Sequence, residues 1–284
     1  MNEAAIDSAK QRWALVTGAS AGIGAEFCRQ LAGLNYSLVL VARRSDRLQQ
    51  LAQKLAAEHA IACRCFSVDL AEADAGFRLE EFLQDEGITI SFLVNNAGYG
   101  VPGTFNQSDW PTHQASLQVM LNSVCELAWR FLPGMQSSAP AYIVNVASLA
   151  GLVPGSARHT LYSATKAFLI KFSQSLAMEN LHTGVSVSAL CPGFTYSEFH
   201  DVTGTRELMN EMSPRMWMTS KDVVAYGITS VMQKKPRIVA VPGRLNRFIA
   251  LMAKLLPLSV TQVLLQRESR KWRQQDQIEG KDKH

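Results

Sequence analysis

The chain has 284 residues, of which 47% are hydrophobic and 18% charged, so a disordered chain and a small disulfide-stapled fold are both excluded. A chain of this length buries about three-quarters of its unfolded surface and needs no metal to hold its core together. The net charge of +4 is uneven: residues 234–284 hold 12 Lys/Arg against 4 Asp/Glu, whereas residues 1–233 hold 16 against 20.

The opening segment, MNEAAIDSAKQRW, contains acids and no apolar core, so it is not read as a secretory signal. No uninterrupted apolar run of about 18 residues occurs later. The five cysteines (Cys28, Cys63, Cys65, Cys125 and Cys191) form no CxxC pair, which speaks against a secreted disulfide framework and a zinc ribbon. The expectation is a soluble cytoplasmic protein.

Short apolar runs then alternate with longer helical stretches. Strands are expected at 13–17, 37–42, 61–68, 92–95, 142–147, 185–190 and 237–242. Helices are expected at 22–33, 45–58, 72–86, 110–136, 160–182 and 220–233, with Gly33 and Gly87 at C-caps. Continuous apolar strands suit a parallel sheet buried on both faces. The rhythm predicts a doubly wound, Rossmann-type α/β sheet of about seven strands, flanked by helices. With no linker or composition break, residues 1–242 form one domain. A basic helical extension is expected at about 243–275, within residues 243–284.

The first strand runs into Thr17-Gly18-Ala19-Ser20-Ala21-Gly22-Ile23-Gly24 and then a helix. Gly18 permits the tight turn, Gly22 lets the backbone approach a pyrophosphate, and Gly24 lets helix and strand pack closely. The helix N-terminus turns free N–H groups and its dipole toward phosphate. Gly18, Ser20, Gly22, Ile23 and Gly24 are therefore assigned to a dinucleotide.

The second strand ends Val41-Ala42-Arg43-Arg44, without the carboxylate that would take a ribose 2′-hydroxyl. A guanidinium can grip a 2′-phosphate through paired hydrogen bonds, so NADP(H) is expected over NAD(H). Arg43 is the main contact and Arg44 the second; otherwise both are solvated loop residues. Asp69, after the third strand, either accepts from the adenine amino group or caps the helix at 72–86. After the fourth strand come Asn95, Asn96, Ala97 and Gly98. There small residues let backbone lie beside a ligand, and Asn95 fastens neighbouring loops or serves a tight turn.

Tyr162 and Lys166, four residues apart, share one helix face. A phenol with a pKa near 10 transfers protons poorly at neutral pH, and a nearby ammonium lowers that pKa. Ser148 ends the strand at 142–147, at the edge where such sheets place ligands, so its hydroxyl can hold a substrate oxygen. A YxxxK pair alone is a common surface-helix feature; its convergence with the glycine turn and Ser148 makes it a reaction site.

Together TGASAGIG (17–24), NNAG (95–98), Asn122, Ser148, YSATK (162–166) and CPG (191–193) resemble the classical short-chain dehydrogenase/reductase family, through residue 242. VARRSDRL (41–48) and CPGFTYSEF (191–199) resemble a broad bacterial group within it. The resemblance implies that Tyr162 is the proton donor in reduction and acceptor in oxidation. It also implies that Lys166 lowers the tyrosine pKa and binds the nicotinamide ribose, that Ser148 orients the substrate oxygen, and that Asn122 holds a water in a proton relay. Pro192 and Gly193 would line the nicotinamide pocket, and Thr195 would bind its amide or phosphate. No metal is required. Ser148 and Tyr162 are 14 residues apart, against the commoner 13; the extra residue is assigned to the loop at 151–160, leaving the catalytic set intact.

The implied substrate is a small-molecule carbonyl or alcohol. A lid at about 194–218 carries Phe194, Tyr196, Phe199, Met209, Met212, Met216, Trp217 and Met218. These residues either form an adaptable apolar pocket, favouring a lipophilic substrate, or pack the lid onto the body. The tail, with Arg267, Arg270, Lys271 and Arg273 beyond its apolar stretch, binds a partner subunit, covers the site or rests on an anionic membrane. A homodimer or homotetramer contact is the first choice, and no nucleic-acid partner is expected. Rival readings are a non-catalytic NADP(H) sensor or scaffold, and a nucleotide-sugar epimerase or dehydratase.

Overall fold

The computed structural model describes residues 11–196, 216–257 and 260. Seven strands form one parallel sheet: β1 (Trp13–Thr17), β2 (Ser37–Ala42), β3 (Cys63–Ser67), β4 (Ile90–Asn95), β5 (Ala141–Val146), β6 (Val185–Leu190) and β9 (Val239–Ala240). Their order is β3-β2-β1-β4-β5-β6-β9. The chain runs outward from β1 in one direction and then returns to β4 on its other side. That reversal between β1 and β4 opens a crevice at the carboxyl edge.

Period-two alternation sends neighbouring strand residues to opposite layers. Leu15, Val39, Leu93 and Ile143 face one layer, with helices α3 (Ala75–Asp85) and α5 (Ser123–Ser137). Val16, Leu40, Val94 and Val144 face the other, with α1 (Gly22–Gly33), α2 (Ser45–His59) and α7 (Ser220–Met232). The inner strand residues are fully buried, which explains why the sequence shows unbroken apolar runs. Helix α6 (Thr160–Glu179) packs Leu169 and Ile170 against Ala189 and Cys191 beside β6.

Several local expectations change. Gly33 remains helical at the end of α1, and Asn35 takes the left-handed conformation (φ +61°). Asparagine tolerates that region because its short polar side chain bonds locally. Gly87 does adopt positive φ after α3. The long helix expected at 110–136 comprises α4 (Trp110–Leu117), one π-helical turn (Gln118–Asn122) and α5. β9 is only two residues long, bounded by Pro242 on the far side.

A small ribbon joins the described residues that border 197–215, where the lid is expected. β7 (Thr195–Tyr196) pairs with β8 (Met218–Thr219), Thr195 opposite Met218. Tyr196 and Trp217 stack at 4.7 Å, and Phe194 meets Trp217 at 5.7 Å. Phe199, Met209 and Met212 lie outside the described residues. The C-terminal extension begins as α8 (Arg244–Leu255); the remainder of the helix expected to 275, including Arg267, Arg270, Lys271 and Arg273, also lies outside them.

Candidate active site

The turn after β1 is built by close backbone approach. Gly18 (φ +66°) and Gly22 (φ +53°) adopt left-handed conformations. A Cβ at Gly24 would stand 2.2 Å from the Gly18 carbonyl oxygen, so α1 can begin here only with glycine. Asn96 secures the turn from β4: its Nδ2 donates to the Thr17 carbonyl at 2.9 Å, and its backbone N–H donates to Thr17 Oγ1 at 2.9 Å. Ala97 N–H donates to the same hydroxyl at 3.0 Å. Ala21 provides no side-chain cap and the first turn of α1 has no acid, so this helix N-terminus is suited to a phosphate. This cradle fits a dinucleotide.

Asn95 is corrected. It is 2% exposed and donates from Nδ2 to Asn145 Oδ1 at 2.9 Å within the sheet. Asn145 in turn donates to Ser173 on α6 at 2.9 Å. One step along a strand reverses the side, so the loop-fastening role falls to Asn96.

The two arginines after β2 diverge. Arg43 Nη1 lies 3.6 Å from Asp69 Oδ2, while Arg44 donates to Ser20 Oγ at 3.2 and 3.0 Å. Ser20 belongs to the glycine turn, so Arg44 sits over the phosphate cradle and Arg43 over the neighbouring strand end. Asp69 does not cap α3, which starts at Ala75 behind Asp74; its Oδ1 accepts from Ala71 N–H at 3.0 Å.

The reaction residues converge after β5 and on α6. Ser148 ends the strand segment, and its Oγ accepts from Ala150 N–H at 3.1 Å. Gly151 lets this short turn touch α6 directly, since a Cβ there would stand 2.6 Å from the Lys166 carbonyl carbon. That approach sets Ser148 in hydrogen-bonding contact with the Tyr162 phenol. Lys166 Nζ lies 5.6 Å from the Tyr162 ring centre and donates to the Val146 carbonyl at 2.7 Å. Ser156 Oγ faces His159 Nδ1 at 3.4 Å.

The electrostatics differ from expectation. Burial raises the Tyr162 pKa, and the hydrogen bond with Ser148 pulls it back down. Burial lowers Lys166 to about 8, with the neighbouring Cys191 acting in the opposite sense. The protein's own atoms therefore hold tyrosine as a phenol and leave the lysine close to titration at neutral pH.

Asn122, expected to hold a relay water, is solvent-exposed, and its Nδ2 donates to Gln118 Oε1 at 2.7 Å. The π turn shifts the helix face, and Met120, 1% exposed, is the residue presented toward Gly98 and Lys166. No spacing rule in the sequence marks that shift.

Pro192 accepts from Leu149 N–H at 2.8 Å, joining the loop after β6 to the Ser148 turn. Thr195 is buried, and its Oγ1 donates to the Gly193 carbonyl at 3.1 Å. Gly193 is covered from α8: a Cβ would stand 2.6 Å from Asn246 Oδ1. Asn246 is a residue sequence reading overlooks, because it lies 53 positions from the loop that it packs on.

Comparisons agree with this geometry. Residues 12–208 match the model of the family described as short chain dehydrogenase. A Homo sapiens very-long-chain 3-oxoacyl-CoA reductase is 32% identical over 225 residues, covering 77% of this chain and 70% of that protein. The match spans 58% and 65% of the length of proteins of the same description from Danio rerio (form A) and Anas platyrhynchos. A solved short-chain dehydrogenase from Sphingobium yanoikuyae in complex with NADPH is 30% identical. It superposes with TM-score 0.75, covering 84% of this chain and 92% of the other. A bulky-bulky ketone specific alcohol dehydrogenase from Comamonas testosteroni is 26% identical, with TM-score 0.70 and coverage of 87% and 95%. With the glycine cradle, Ser148, Tyr162 and Lys166 on one sheet edge, the chain belongs to the short chain dehydrogenase family and is an oxidoreductase acting on CH–OH or keto groups.

Proposed function

We propose that this protein is an NADP(H)-dependent reductase that transfers a hydride between the nicotinamide and the carbonyl or secondary alcohol of a lipophilic small molecule. The observation that carries the reading is the contact of Ser148 with Tyr162 beside the buried Lys166 amine. Two hydroxyls can thereby meet one substrate oxygen.

The nicotinamide, when bound, supplies or accepts the hydride. Ser148 holds the substrate oxygen, and Tyr162 gives it the phenolic proton in reduction or takes one in oxidation. Lys166, as ammonium, stabilises the charge left on the phenol oxygen.

Arg43 and Arg44, with no carboxylate at the end of β2, support NADP(H) over NAD(H). The Sphingobium relative binds NADPH, consistent with this assignment. Support for a lipophilic substrate comes from the aromatic cluster Phe194, Tyr196 and Trp217 at the lid ends. The bulky-ketone and 3-oxoacyl-CoA specificities of the two other relatives point the same way. A homodimer or homotetramer is proposed from the exposed Trp129 on α5 and Phe168 on α6. A cytoplasmic setting is proposed from five free thiols.

The test is NADPH consumption with ketones of increasing apolar bulk, in wild type and Tyr162→Phe. Bulky ketones should turn over, and the variant should lose roughly 10²- to 10⁴-fold while still binding NADPH. Binding without turnover would identify a sensor, and turnover without net cofactor consumption an epimerase.

A further inference from the structure

Helix α8 is joined to the body at its first turn and turns its apolar stripe away from it. Asn246, 6% exposed, donates to the Pro242 carbonyl at 2.9 Å and packs on Gly193. Leu245, Phe248, Leu251 and Leu255 then recur at spacings of three or four, on one helical face. They are 44%, 58%, 52% and 65% exposed, respectively. Arg247 and Lys254 run along one edge of that stripe, Arg247 over the Tyr226 ring of α7 at 5.9 Å, Arg244 opens the helix, and the helix contains no acid. A helix of a soluble body ordinarily turns its apolar stripe inward. Among the described residues, no helix is long and apolar enough to cross a membrane.

We propose that α8 lies in the interface of an anionic lipid surface, its four-residue stripe at the acyl boundary and its cations on lipid phosphates. The geometry suits this occupant: apolar side chains point outward and positive charge runs along their edge. The charge is reinforced through residues 234–284, which hold 12 Lys/Arg against 4 Asp/Glu. A second copy docking symmetrically would bring three cations against three, with no acid on the helix to pair them. The helix also starts at the catalytic edge, because Asn246 touches both Gly193 and, through Nδ2 at 3.6 Å, Met218 Sδ in the lid ribbon. A membrane-lying α8 therefore brings the β7–β8 ribbon beside the phase in which lipophilic molecules dissolve. That last step rests on the proposed substrate class; the lipid contact does not.

The test uses the full chain and vesicle flotation. Wild type should float with phosphatidylcholine vesicles containing about a third phosphatidylglycerol, release at high salt, and bind pure phosphatidylcholine weakly. The double variant Phe248→Glu, Leu251→Glu should lose flotation by roughly tenfold or more. It should keep its melting temperature and its NADPH turnover with a water-soluble ketone. Arg244→Glu with Lys254→Glu should abolish the preference for anionic vesicles. Undiminished flotation of the stripe variant would overturn the proposal, as would a wild type that ignores anionic vesicles. A stripe variant that turns a dimer into a monomer by analytical ultracentrifugation, with flotation unchanged, would assign the face to a second copy instead. Flotation needs no turnover, so a protein that floats but reduces nothing removes the reductase reading and leaves this one standing.

Discussion

Met120 and Lys166 are neighbours across Gly98. A methyl group at Gly98 would stand 3.1 Å from Met120 Cγ and 3.7 Å from Lys166 Nζ. The thioether, on the π turn that also carries Asn122, and the buried amine therefore both pack on Gly98. The amine finds its hydrogen-bond acceptor in the Val146 carbonyl.

Asn122→Ala should lower kcat/KM with little change in melting temperature, since the side chain is exposed and its expected role is to hold a relay water. Met120→Ala should cost about 2–5 kcal/mol of stability, because it opens a cavity in a closed layer. Thermal melts and steady-state kinetics on the two variants separate the roles. An unchanged kcat/KM in the Asn122 variant would remove it from the relay.

Lys166 stores an electrostatic cost. Its pKa falls from 10.5 to about 8 on folding, so between those values the unfolded chain binds more protons than the folded one. Stability from this group rises as pH climbs from 8 toward 10.5, and the full penalty applies below 8. Lys166→Met should therefore be more stable than wild type near neutral pH, by about 1–3 kcal/mol, while losing turnover. The gap should shrink through that alkaline window. The difference between the proteins is the quantity to follow, because the thiol of Cys191, raised to about 12 by burial, changes stability in the opposite direction above its ordinary range.

Ser148 opposes the burial of Tyr162. Removing its hydroxyl leaves only the effect that raises the phenol pKa. In Ser148→Ala the pH at which alcohol oxidation gains activity should move upward, alongside a loss of roughly 10²-fold or more in kcat. An unshifted oxidation profile would separate Ser148 from the tyrosine.

Glycines of similar appearance should respond in opposite ways. Gly24→Ala places a methyl 2.2 Å from the backbone oxygen of Gly18, so it should destabilise by about 3 kcal/mol or more and impair NADPH binding. Gly33→Ala meets only His59 Cε1, at 4.0 Å, in helical conformation, and should stabilise by about 0.4–1 kcal/mol. Denaturant melts of both check the assignment.

Cofactor choice should follow the two guanidiniums. Arg43→Ser and Arg44→Ser should each raise the KM for NADPH roughly tenfold and leave that for NADH nearly unchanged. The larger effect at Arg44 would place the 2′-phosphate near Ser20; the larger effect at Arg43 would place it beside Asp69.

By itself the sequence determined the rhythm of the chain and the chemistry at its strand ends. Apolar runs marked the strands because both sheet faces are covered, and the glycine turn was legible because glycine takes positive φ without strain and alone tolerates such direct backbone contact. Tyr162 and Lys166 were legible because a spacing of four places them on one helical face. These are local properties, written over a few residues. The tertiary structure alone decided which side chains meet. Asn95 and Asn96 differ by one position, yet strand pairing turns one toward Asn145 and the other toward Thr17. One π turn set Met120 against Gly98 and left Asn122 exposed. Asn246 reached Gly193, and Gly151 reached Lys166, through packing between separate elements. Such partners depend on how helices and sheet settle together, and no local periodicity encodes them.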